Sequence, residues 1–441
     1  MENITHTLIG LAAGEAFARC TRPAEDFATG RGLPQAARRS LFVTLAAIGG
    51  NAPDLDLAWS YAGSDRRLGY ALEHRGYTHT VVGCLVLAGL LYAGAEWWMH
   101  RRGLAPTGRD RIQLGLVAVL GTMLHLGMDA LNSYGVHPFW PFDNRWFYGD
   151  SIFIAEPLFW LASVPLIFLM RSGLARWLMG LVGTLALGVC VWIHRGAPLW
   201  EVGIAIVTVG LLAAGRLASA RSAAVASAAA MALIVGISVT CAAVAARRVE
   251  AIVSRDFPGD RMLDHILTPT PTDPLCWDAL ILATRADQYT VRHAVLSIAP
   301  PLASAAACPE LLASPRTNPP RGPASASAGR PPATTLPLSP APPMSPVGLP
   351  DSPSIQWRGQ YSMSRSRLVR LVEAHCDAAA LMRFARAPFA FQHAGSWFLG
   401  DLRFGWGAGF QIEVRGGPPG GCAIDAPWIA PRTDLLSPHS P

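Results

Sequence analysis

The sequence predicts an all-α polytopic membrane bundle of about eight helices, followed by a small C-terminal α+β extramembrane domain. Hydrophobic residues make up 51% of the 441 positions and charged residues only 15%, which is unusual for a soluble enzyme. Apolar stretches also recur along the first 246 residues, with arginines between them. A bilayer is therefore the expected solvent of this part of the chain.

Eight apolar stretches are the candidate membrane helices. They cover about residues 7–20, 40–52, 80–99, 112–131, 152–170, 175–193, 199–215 and 222–246. The later stretches approach the ~20 residues that a bilayer core requires, whereas the first two are short and can be partly buried or re-entrant. The predicted membrane domain is residues 1–246, with its core in residues 1–170.

The arginines predict the orientation of this domain. The net charge is +6, and the arginines that supply the positive charge lie between apolar segments, which favours membrane topology over nucleic-acid binding. If every stretch crosses the membrane, one side receives Arg19, Arg22, Arg31, Arg38, Arg39, Arg101, Arg102, Arg109, Arg111, Arg171, Arg176, Arg216 and Arg221. The other side receives only Arg66, Arg67, Arg75, Arg145 and Arg195. We therefore expect a multi-pass inner-membrane protein whose C-terminal domain lies on the outer, periplasmic side.

The C-terminal third divides by composition. Residues 247–300 form an extramembrane segment with two expected strands, which begin near Trp277 and Tyr289. Residues 301–354 are rich in Pro, Ala and Ser and predict a disordered linker. Residues 355–441 predict a small α+β unit with a helix over 364–385 and strand-like pieces from Ser396 and Phe410.

Four cysteines fall in this outer region. They are Cys276, Cys308, Cys376 and Cys422. In an oxidising compartment they permit one or two disulfides, but the three possible pairings stay open, and unpaired packing cysteines are an equal alternative.

Histidines and aspartates gather at the predicted outer ends of the first four helices. The residues are His6, Asp54, Asp56, His74, Arg75, His79, His125 and Asp129. The i, i+4 spacing of His125 and Asp129 places both on one face of the fourth helix. Ionisable groups at bilayer depth are costly, so several on converging helix ends need a shared partner, and a divalent cation supplies one.

Mixed imidazole and carboxylate ligands suit zinc, with manganese or iron as alternatives. We expect metal ligands at His6, Asp54, His79, His125 and Asp129. Asp56 and His74 would support these ligands or transfer protons, and Arg75 would bind an anionic oxygen of the substrate. A metal-activated water would then hydrolyse a phosphoester or ester bond in a lipid or lipid-linked substrate.

Simpler interpretations of the same residues stay open. His6 can be an interfacial or capping residue, and the two aspartates can form a turn with a helix N-cap. His125 and Asp129 can be a hydrogen-bonded pair that holds helices together. As a whole, the chain can be a non-catalytic, metal-stabilised membrane scaffold with a partner-binding outer domain. A transporter ranks last because residues 152–246 carry few charges within their apolar runs.

The order of these motifs resembles the YdjM-like (LexA-binding, DUF457) family of inner-membrane metal-dependent hydrolases. The resemblance covers about residues 1–170 and rests on His6, Pro53-Asp54-Leu55-Asp56, His74-Arg75-Gly76-Tyr77-Thr78-His79, His125 with Asp129, Asn132-Ser-Tyr-Gly and Pro138-Phe-Trp-Pro-Phe. Pro-Thr-Asp-Pro-Leu-Cys-Trp further along is similar to an outer segment of longer members. The resemblance implies a membrane-bound hydrolase and strengthens the predicted site more than the substrate.

A more distant similarity is to the zinc-dependent phospholipase C and P1 nuclease group. The order His6, Asp54, His79, His125 and Asp129 fits the ligands of these all-helical enzymes. That group continues with a further His and a His-x-x-x-Glu pair, whereas this chain has only His137, Asp150 and Glu156 without that spacing. The similarity therefore implies one or two metal ions rather than a complete multi-metal site.

Overall fold

The computed structural model describes residues 1–22, 32–60, 66–309, 341–404, 410–415, 417 and 426–436. The chain divides into two compact units. The first consists of Met1–Trp59, Glu73–Ala243 and Thr268–Pro274, and the second of Ser60–Leu72, Val244–Leu267 and Leu275–Pro441. The first unit is helical and carries the candidate site, whereas the second contains the β-sheets.

The N-terminal part of the chain forms helices of very different length. They are α1 (Asn3–Cys20), α2 (Gln35–Gly49), α3 (Leu57–Ser60), α4 (Arg66–Glu73), α5 (Val81–Arg101), α6 (Gly108–Ala130), α7 (Pro157–Ala162), α8 (Gly173–Ile193), α9 (Pro198–Leu217) and α10 (Ala220–Asp256). Among the described residues, α5, α6, α8, α9 and α10 are long and apolar enough to cross a membrane. A helical membrane part is thus confirmed, whereas the number of about eight spans stays a prediction.

The predicted helix over 152–170 is wrong as a single long element. Helix α7 ends at Ala162, and a 3₁₀ segment follows over Val164–Leu169. Pro157 stands in the first turn of α7, where its missing N–H costs nothing, but Pro165 removes a donor that a continuous helix needs. Pro157 thus begins the first piece, and Pro165 separates it from the second.

Close packing of α1, α2 and α6 determines where the candidate site lies. A Cβ added at Gly10 of α1 would lie 2.5 Å from the Ala46 carbonyl oxygen of α2. A Cβ at Gly121 of α6 would lie 3.1 Å from the Cα of Gly49. Glycine at these positions lets the backbones approach closely, as is common between membrane helices. The first turn of α1 and the last turns of α2 and α6 are thereby brought together.

The second unit contains a four-stranded sheet and a three-stranded sheet. The first has the order β1 (Arg261–Thr270), β2 (Asp273–Arg285), β3 (Gln288–Ser297) and β4 (Ile355–Ser364). The second has the order β5 (Pro388–His393), β6 (Ser396–Asp401) and β7 (Gln411–Glu413). Helices α11 (Arg365–Ala374), α12 (Cys376–Met382) and α13 (Thr433–Leu436) also lie in this unit, together with most of α4 and the end of α10. An α+β domain C-terminal to the membrane helices is therefore confirmed.

Some strands and helices of this unit agree with the sequence-based predictions, and others differ from them. The strands expected at Trp277 and Tyr289 lie in β2 and β3, which pair antiparallel with Trp277 opposite Leu296. The helix expected over 364–385 is interrupted at His375, whose extended backbone separates α11 from α12. Strands β1, β4 and β5 were not expected from the sequence.

The four-stranded sheet takes strands from both sides of the Pro-rich stretch. Strand β4 pairs antiparallel with β3, with Tyr361 opposite Val291, so residues 247–300 and 355–364 contribute to one sheet. Most of the predicted linker, residues 310–340, lies outside the described residues. At its near end, a disulfide joins Cys276 to Cys308. At its far end, Ser345 pairs with Gln360 of β4.

Candidate metal centre

Four chain segments of the first unit supply the candidate site. They are the first turn of α1, a 3₁₀ turn over Ala52–Asp56 after α2, a second 3₁₀ turn over Tyr77–His79 before α5, and the last turns of α6. Pro53 is the second residue of the first of these turns, and Thr80 caps α5 by accepting a hydrogen bond from the Gly83 N–H at 2.8 Å. Each turn thus holds its polar side chains at the end of a rigid helix.

Asp54, His79, His125 and Asp129 form a buried cluster. Each offers one ligand atom, and these atoms lie within 4.8 Å of one another. The Nε2 atoms of His79 and His125 are 3.0 Å apart. Nε2 of His79 also lies 3.3 Å from Oδ1 of Asp54 and 3.3 Å from Oδ2 of Asp129. The structure therefore brings together four of the five residues predicted to bind metal.

Hydrogen bonds on the far sides of the two imidazoles determine which nitrogens face the cluster as acceptors. Nδ1 of His125 lies 2.8 Å from the Gly50 carbonyl oxygen, which can only accept a hydrogen bond. Nδ1 of His79 lies 3.1 Å from Oδ2 of Asp56, which is likewise an acceptor. Both Nδ1 atoms therefore carry the proton in the neutral rings, and both Nε2 lone pairs point into the cluster.

This donor set fits a divalent cation. Two imidazole lone pairs and two carboxylates converge, and these groups repel one another unless a positive charge lies between them. Oδ2 of Asp129 and Nε2 of His6 are buried and make no hydrogen bond within the described part of the chain. Nitrogen and oxygen donors without thiolates suit zinc, manganese or iron. The cluster can thus hold a metal ion.

His6, the fifth predicted ligand, lies beside the cluster of four. Its ring stacks on that of His125 with centroids 3.8 Å apart, and its Nε2 lies 3.3 Å from Oδ1 of Asp129. The α-amino group of Met1 also contacts Oδ1 of Asp129. His6 is therefore placed to join the ligands or to support Asp129 and His125, and its role as a ligand stays a prediction.

Asp56 connects the surrounding residues to the cluster. Its carboxylate accepts hydrogen bonds from the backbone N–H of Arg75 at 2.8 Å and from Oγ1 of Thr78 at 3.0 Å. Nδ1 of His74 lies 3.0 Å from its Oδ1. Burial alone would raise the pKa of Asp56, but the hydrogen bonds to His74 and His79 outweigh this effect and hold it well below its usual range. An ionised Asp56 therefore orients both imidazoles.

Asp54, Asp56 and His74 form a second group of possible ligands within 4.8 Å of one another. Burial would raise the pKa of Asp54, but its close contact with His79 and the other nearby histidines lower it to about 2. Asp54 thus belongs to both groups as an ionised carboxylate, and the geometry accommodates one or two ions.

Arg75 is directed into the cluster. Its Nη2 lies 2.9 Å from Oδ1 of Asp129, and its Nη1 lies 3.0 Å from Oδ1 of Asn132. The guanidinium also stacks over the Tyr134 ring at 4.5 Å. Arg75 has a φ of 62°, an uncommon backbone conformation for a residue with a side chain. The side chain thus balances the charge of Asp129, and binding of a substrate anion by Arg75 stays a prediction.

Sequence reasoning missed several contributors to this site. The Gly50 carbonyl oxygen carries no sequence signal, because any residue has a carbonyl. Thr78 stood in the His74–His79 motif, but its hydroxyl was given no role. His137 and Glu156 lie outside both possible ligand groups. Burial lowers the pKa of His137 to about 3, and Glu156 caps α7 by accepting a hydrogen bond from the Leu158 N–H at 3.1 Å.

Comparison with known proteins agrees with the predicted family. Residues 1–197 match the model of the YdjM inner membrane protein family. No curated protein and no solved structure matches the chain. The matched region contains every residue of the candidate site together with α5 and α6. Residues 1–197, the part of the chain that carries the candidate metal centre, are thus similar to the YdjM inner membrane protein family.

Proposed function

We propose that this protein is a membrane-bound metal-dependent hydrolase of a phosphoester or ester bond in a lipid or lipid-linked substrate. The observation that carries the proposal is the approach of the His79 and His125 Nε2 atoms to 3.0 Å, with Asp54 and Asp129 beside them. A divalent ion held there would acidify a bound water and polarise a phosphoryl or acyl oxygen. Zinc is the first candidate, because it is commonly bound by histidine and carboxylate together.

The residues at the edge of the cluster supply the acid–base chemistry in this proposal. Asp54 and His74 are each 7% exposed, whereas His79, His125 and Asp129 are fully buried, so the substrate would approach from the side of Asp54 and His74. With Nδ1 of His74 directed at Asp56, its Nε2 is the nitrogen that would accept a proton. Arg75 would keep Asp129 in place and offset negative charge at the centre.

An apolar cavity next to the Asp54 turn favours a lipid substrate. The cavity has a volume of about 520 Å³ and is lined by residues of α1, α2, α5 and the 3₁₀ turn, among them Ile48, Ala52, Leu55 and Leu90. Ala52 and Leu55 flank Pro53 and Asp54 in that turn. An acyl chain in this cavity would bring its ester or phosphoester group to the turn that carries Asp54.

The first test is elemental analysis of the full chain purified in detergent, with His125→Gln beside it. We expect stoichiometric zinc, manganese or iron in the wild type and its loss in the variant. His100→Gln is the matched control, because His100 is an exposed histidine at the end of α5 and should retain the metal. Wild-type protein without metal after reconstitution would contradict the proposal.

The second test separates catalysis from metal binding. Short-chain phosphatidylglycerol would be incubated with the metal-loaded protein, and phosphoester and fatty-acid products followed by NMR. We expect turnover that a chelator abolishes and that His74→Gln reduces at least about 100-fold, with the metal retained. Equal turnover in the wild type and His74→Gln would show that His74 does not transfer a proton in the reaction.

A non-catalytic, metal-stabilised scaffold is the second candidate. The burial of His79, His125 and Asp129 favours it, because structural metal sites have closed coordination shells. A scaffold would lose thermal stability on metal removal but would show no turnover with any phospholipid or ester in the panel. The hydrolase would show both effects.

We also propose that the C-terminal domain lies on the outer side of the inner membrane. Two observations support this orientation: the excess of arginines on the opposite side, and the Cys276–Cys308 disulfide, which is stable in an oxidising compartment.

A further inference from the structure

Five arginines surround a cavity at the end of α1 that lies away from the candidate metal centre. The cavity has a volume of about 450 Å³, and its lining includes Arg19, Arg22, Arg38, Arg39 and Arg221. His6 and Arg19 stand on the same helix and are separated by roughly 20 Å along its axis, at 1.5 Å per residue. This arginine pocket is therefore separate from the His–Asp cluster.

We propose that the arginine pocket binds the phosphate group of an anionic ligand. The positive charge that motivates this proposal is only partly balanced. Glu15 accepts hydrogen bonds from Nε of Arg19 at 3.0 Å and from Nε of Arg39 at 3.0 Å, so one carboxylate serves two guanidinium groups. The lining of the pocket contains no carboxylate among the described residues. An anion would supply the missing negative charge.

Arg38 is the most deeply buried of the five and is 2% exposed. Its guanidinium donates hydrogen bonds to neutral oxygens, namely the Gln113 side chain at 2.9 Å, the Ala18 carbonyl at 3.0 Å and the Thr21 hydroxyl. These contacts hold the planar group in one position and leave its charge without a bonded carboxylate in the described part of the chain. Such a preorganised guanidinium is the group that recognises phosphate in many proteins.

The N-terminal end of α2 adds to the attraction of the pocket for an anion. Gln35, the first residue of α2, lines the pocket, and no side chain among the described residues caps this end of the helix. The first backbone N–H groups of α2 are therefore available, and the helix dipole places partial positive charge there. Together with the arginines, this helix end forms a site suited to phosphate.

The phosphate can belong to a lipid headgroup or to a soluble phosphoester. The positive-inside rule predicts that this end of α1 faces the cytoplasm, where basic pockets between membrane helices bind anionic lipid headgroups. The test must therefore compare the two sources.

The experiment uses the full chain in a neutral detergent and records the unfolding temperature during titration. The probes are dioctanoyl phosphatidylglycerol, dioctanoyl phosphatidylcholine and inorganic phosphate. The test variant is Arg22→Gln with Arg221→Gln, since both side chains are exposed and can be changed without disturbing the core. The control is Arg102→Gln with Arg171→Gln, which removes the same charge from exposed arginines outside the pocket.

We expect phosphatidylglycerol to stabilise the wild type saturably and phosphatidylcholine to have no such effect. The apparent affinity should fall at least tenfold in the pocket variant and stay unchanged in the control. If inorganic phosphate shows the tenfold difference and phosphatidylglycerol shows none, the site is confirmed and its ligand is a soluble phosphoester. Equal affinity in the wild type and the pocket variant, or equal losses in both double variants, would overturn the proposal, because the anion would then bind elsewhere or through net charge alone.

Discussion

The Nε2 atoms of His79 and His125 lie 3.0 Å apart, and the Nδ1 atom of each ring is held by an acceptor, Oδ2 of Asp56 or the Gly50 carbonyl oxygen. Two imidazoles in this arrangement present lone pairs to each other, which is unfavourable without a cation or an added proton between them. A cation bound between the two rings would remove this repulsion and stabilise the buried pair.

The Asp56→Asn variant tests the supporting role of Asp56. The change keeps the size of the side chain but weakens the acceptor that orients His79 and His74. We expect metal affinity to fall about 10- to 100-fold, measured by competition with a chromogenic chelator. Asp143→Asn is the control, because Asp143 pairs with the exposed Arg145 away from the cluster. Unchanged affinity in Asp56→Asn would show that Asp56 does not support the metal ligands.

The Arg75→Met variant tests the charge balance at Asp129. Removal of the guanidinium leaves the Met1 α-amino group as the remaining cationic contact of the buried Asp129 carboxylate, and we expect a loss of up to about 3–5 kcal/mol in the free energy of unfolding of the metal-free protein. Arg145→Met removes an exposed partner of Asp143 and should leave stability unchanged. Unfolding in detergent with increasing denaturant measures both. Similar stability in the two variants would show that Arg75 is not needed to balance Asp129.

The raised pKa of Glu156 predicts that the free energy of unfolding depends on pH. Burial raises its pKa to about 7, although hydrogen bonds from the Leu158 and Thr272 N–H groups oppose this, and the neighbouring Asp273 raises it further. The folded state therefore binds a proton more tightly than the unfolded state, in which the pKa takes its ordinary value of 4.5. The stabilisation is complete below about pH 4.5 and is lost as the pH rises toward about 7.

The Glu156→Gln variant checks this dependence. Glutamine can still accept hydrogen bonds from Leu158 and Thr272 but does not ionise. We expect the wild type to lose up to about 3 kcal/mol between pH 4.5 and 7.5, and the variant to lose less over the same range. The measurement is the unfolding temperature as a function of pH. Parallel curves for both proteins would place the pH dependence in other groups.

The Gly10→Ala variant tests the contact between α1 and α2. The new Cβ would lie 2.5 Å from the Ala46 carbonyl oxygen and 2.8 Å from the Ala47 Cα, so backbone must move. We expect a destabilisation of about 1–3 kcal/mol. In the control Gly94→Ala, the Cβ meets nothing within 4 Å, and stability should be equal or slightly higher. If Gly10→Ala were as stable as the wild type, the two helices would not pack as described.

The Cys276→Ser variant tests the orientation of the C-terminal domain. Loss of the disulfide frees the Cys308 thiol, which a membrane-impermeant maleimide should label in intact cells if this domain lies outside. Labelling would be followed on protein whose other cysteines are replaced by serine. In the parent protein with both cysteines, labelling should require prior reduction. Labelling that occurs only after cell lysis would place the domain in the cytoplasm.

Local sequence features were sufficient to predict the membrane class and the residue types of the site. Composition and apolar stretches indicated a bilayer, because the length of a spanning helix depends only on local hydrophobicity. The strands at Trp277 and Tyr289 were predicted from their β-branched runs between turn residues. The histidines and aspartates were recognised because ionisable side chains at helix ends in apolar surroundings are costly.

The tertiary structure decided which of these residues meet. The assignment of Asp54 to the metal and of Asp56 to a supporting role was a hypothesis from the sequence, whereas the fold directs Asp54 into the four-residue cluster and Asp56 toward Nδ1 of His79. The Gly50 carbonyl, the direction of Arg75 and the pairing of β4 with β3 depend on contacts between residues far apart in the chain. Such contacts follow from packing, for example from the close approach of α1 to α2 at Gly10. Packing between residues far apart in the chain produces no local sequence pattern, so it could not be predicted from the sequence.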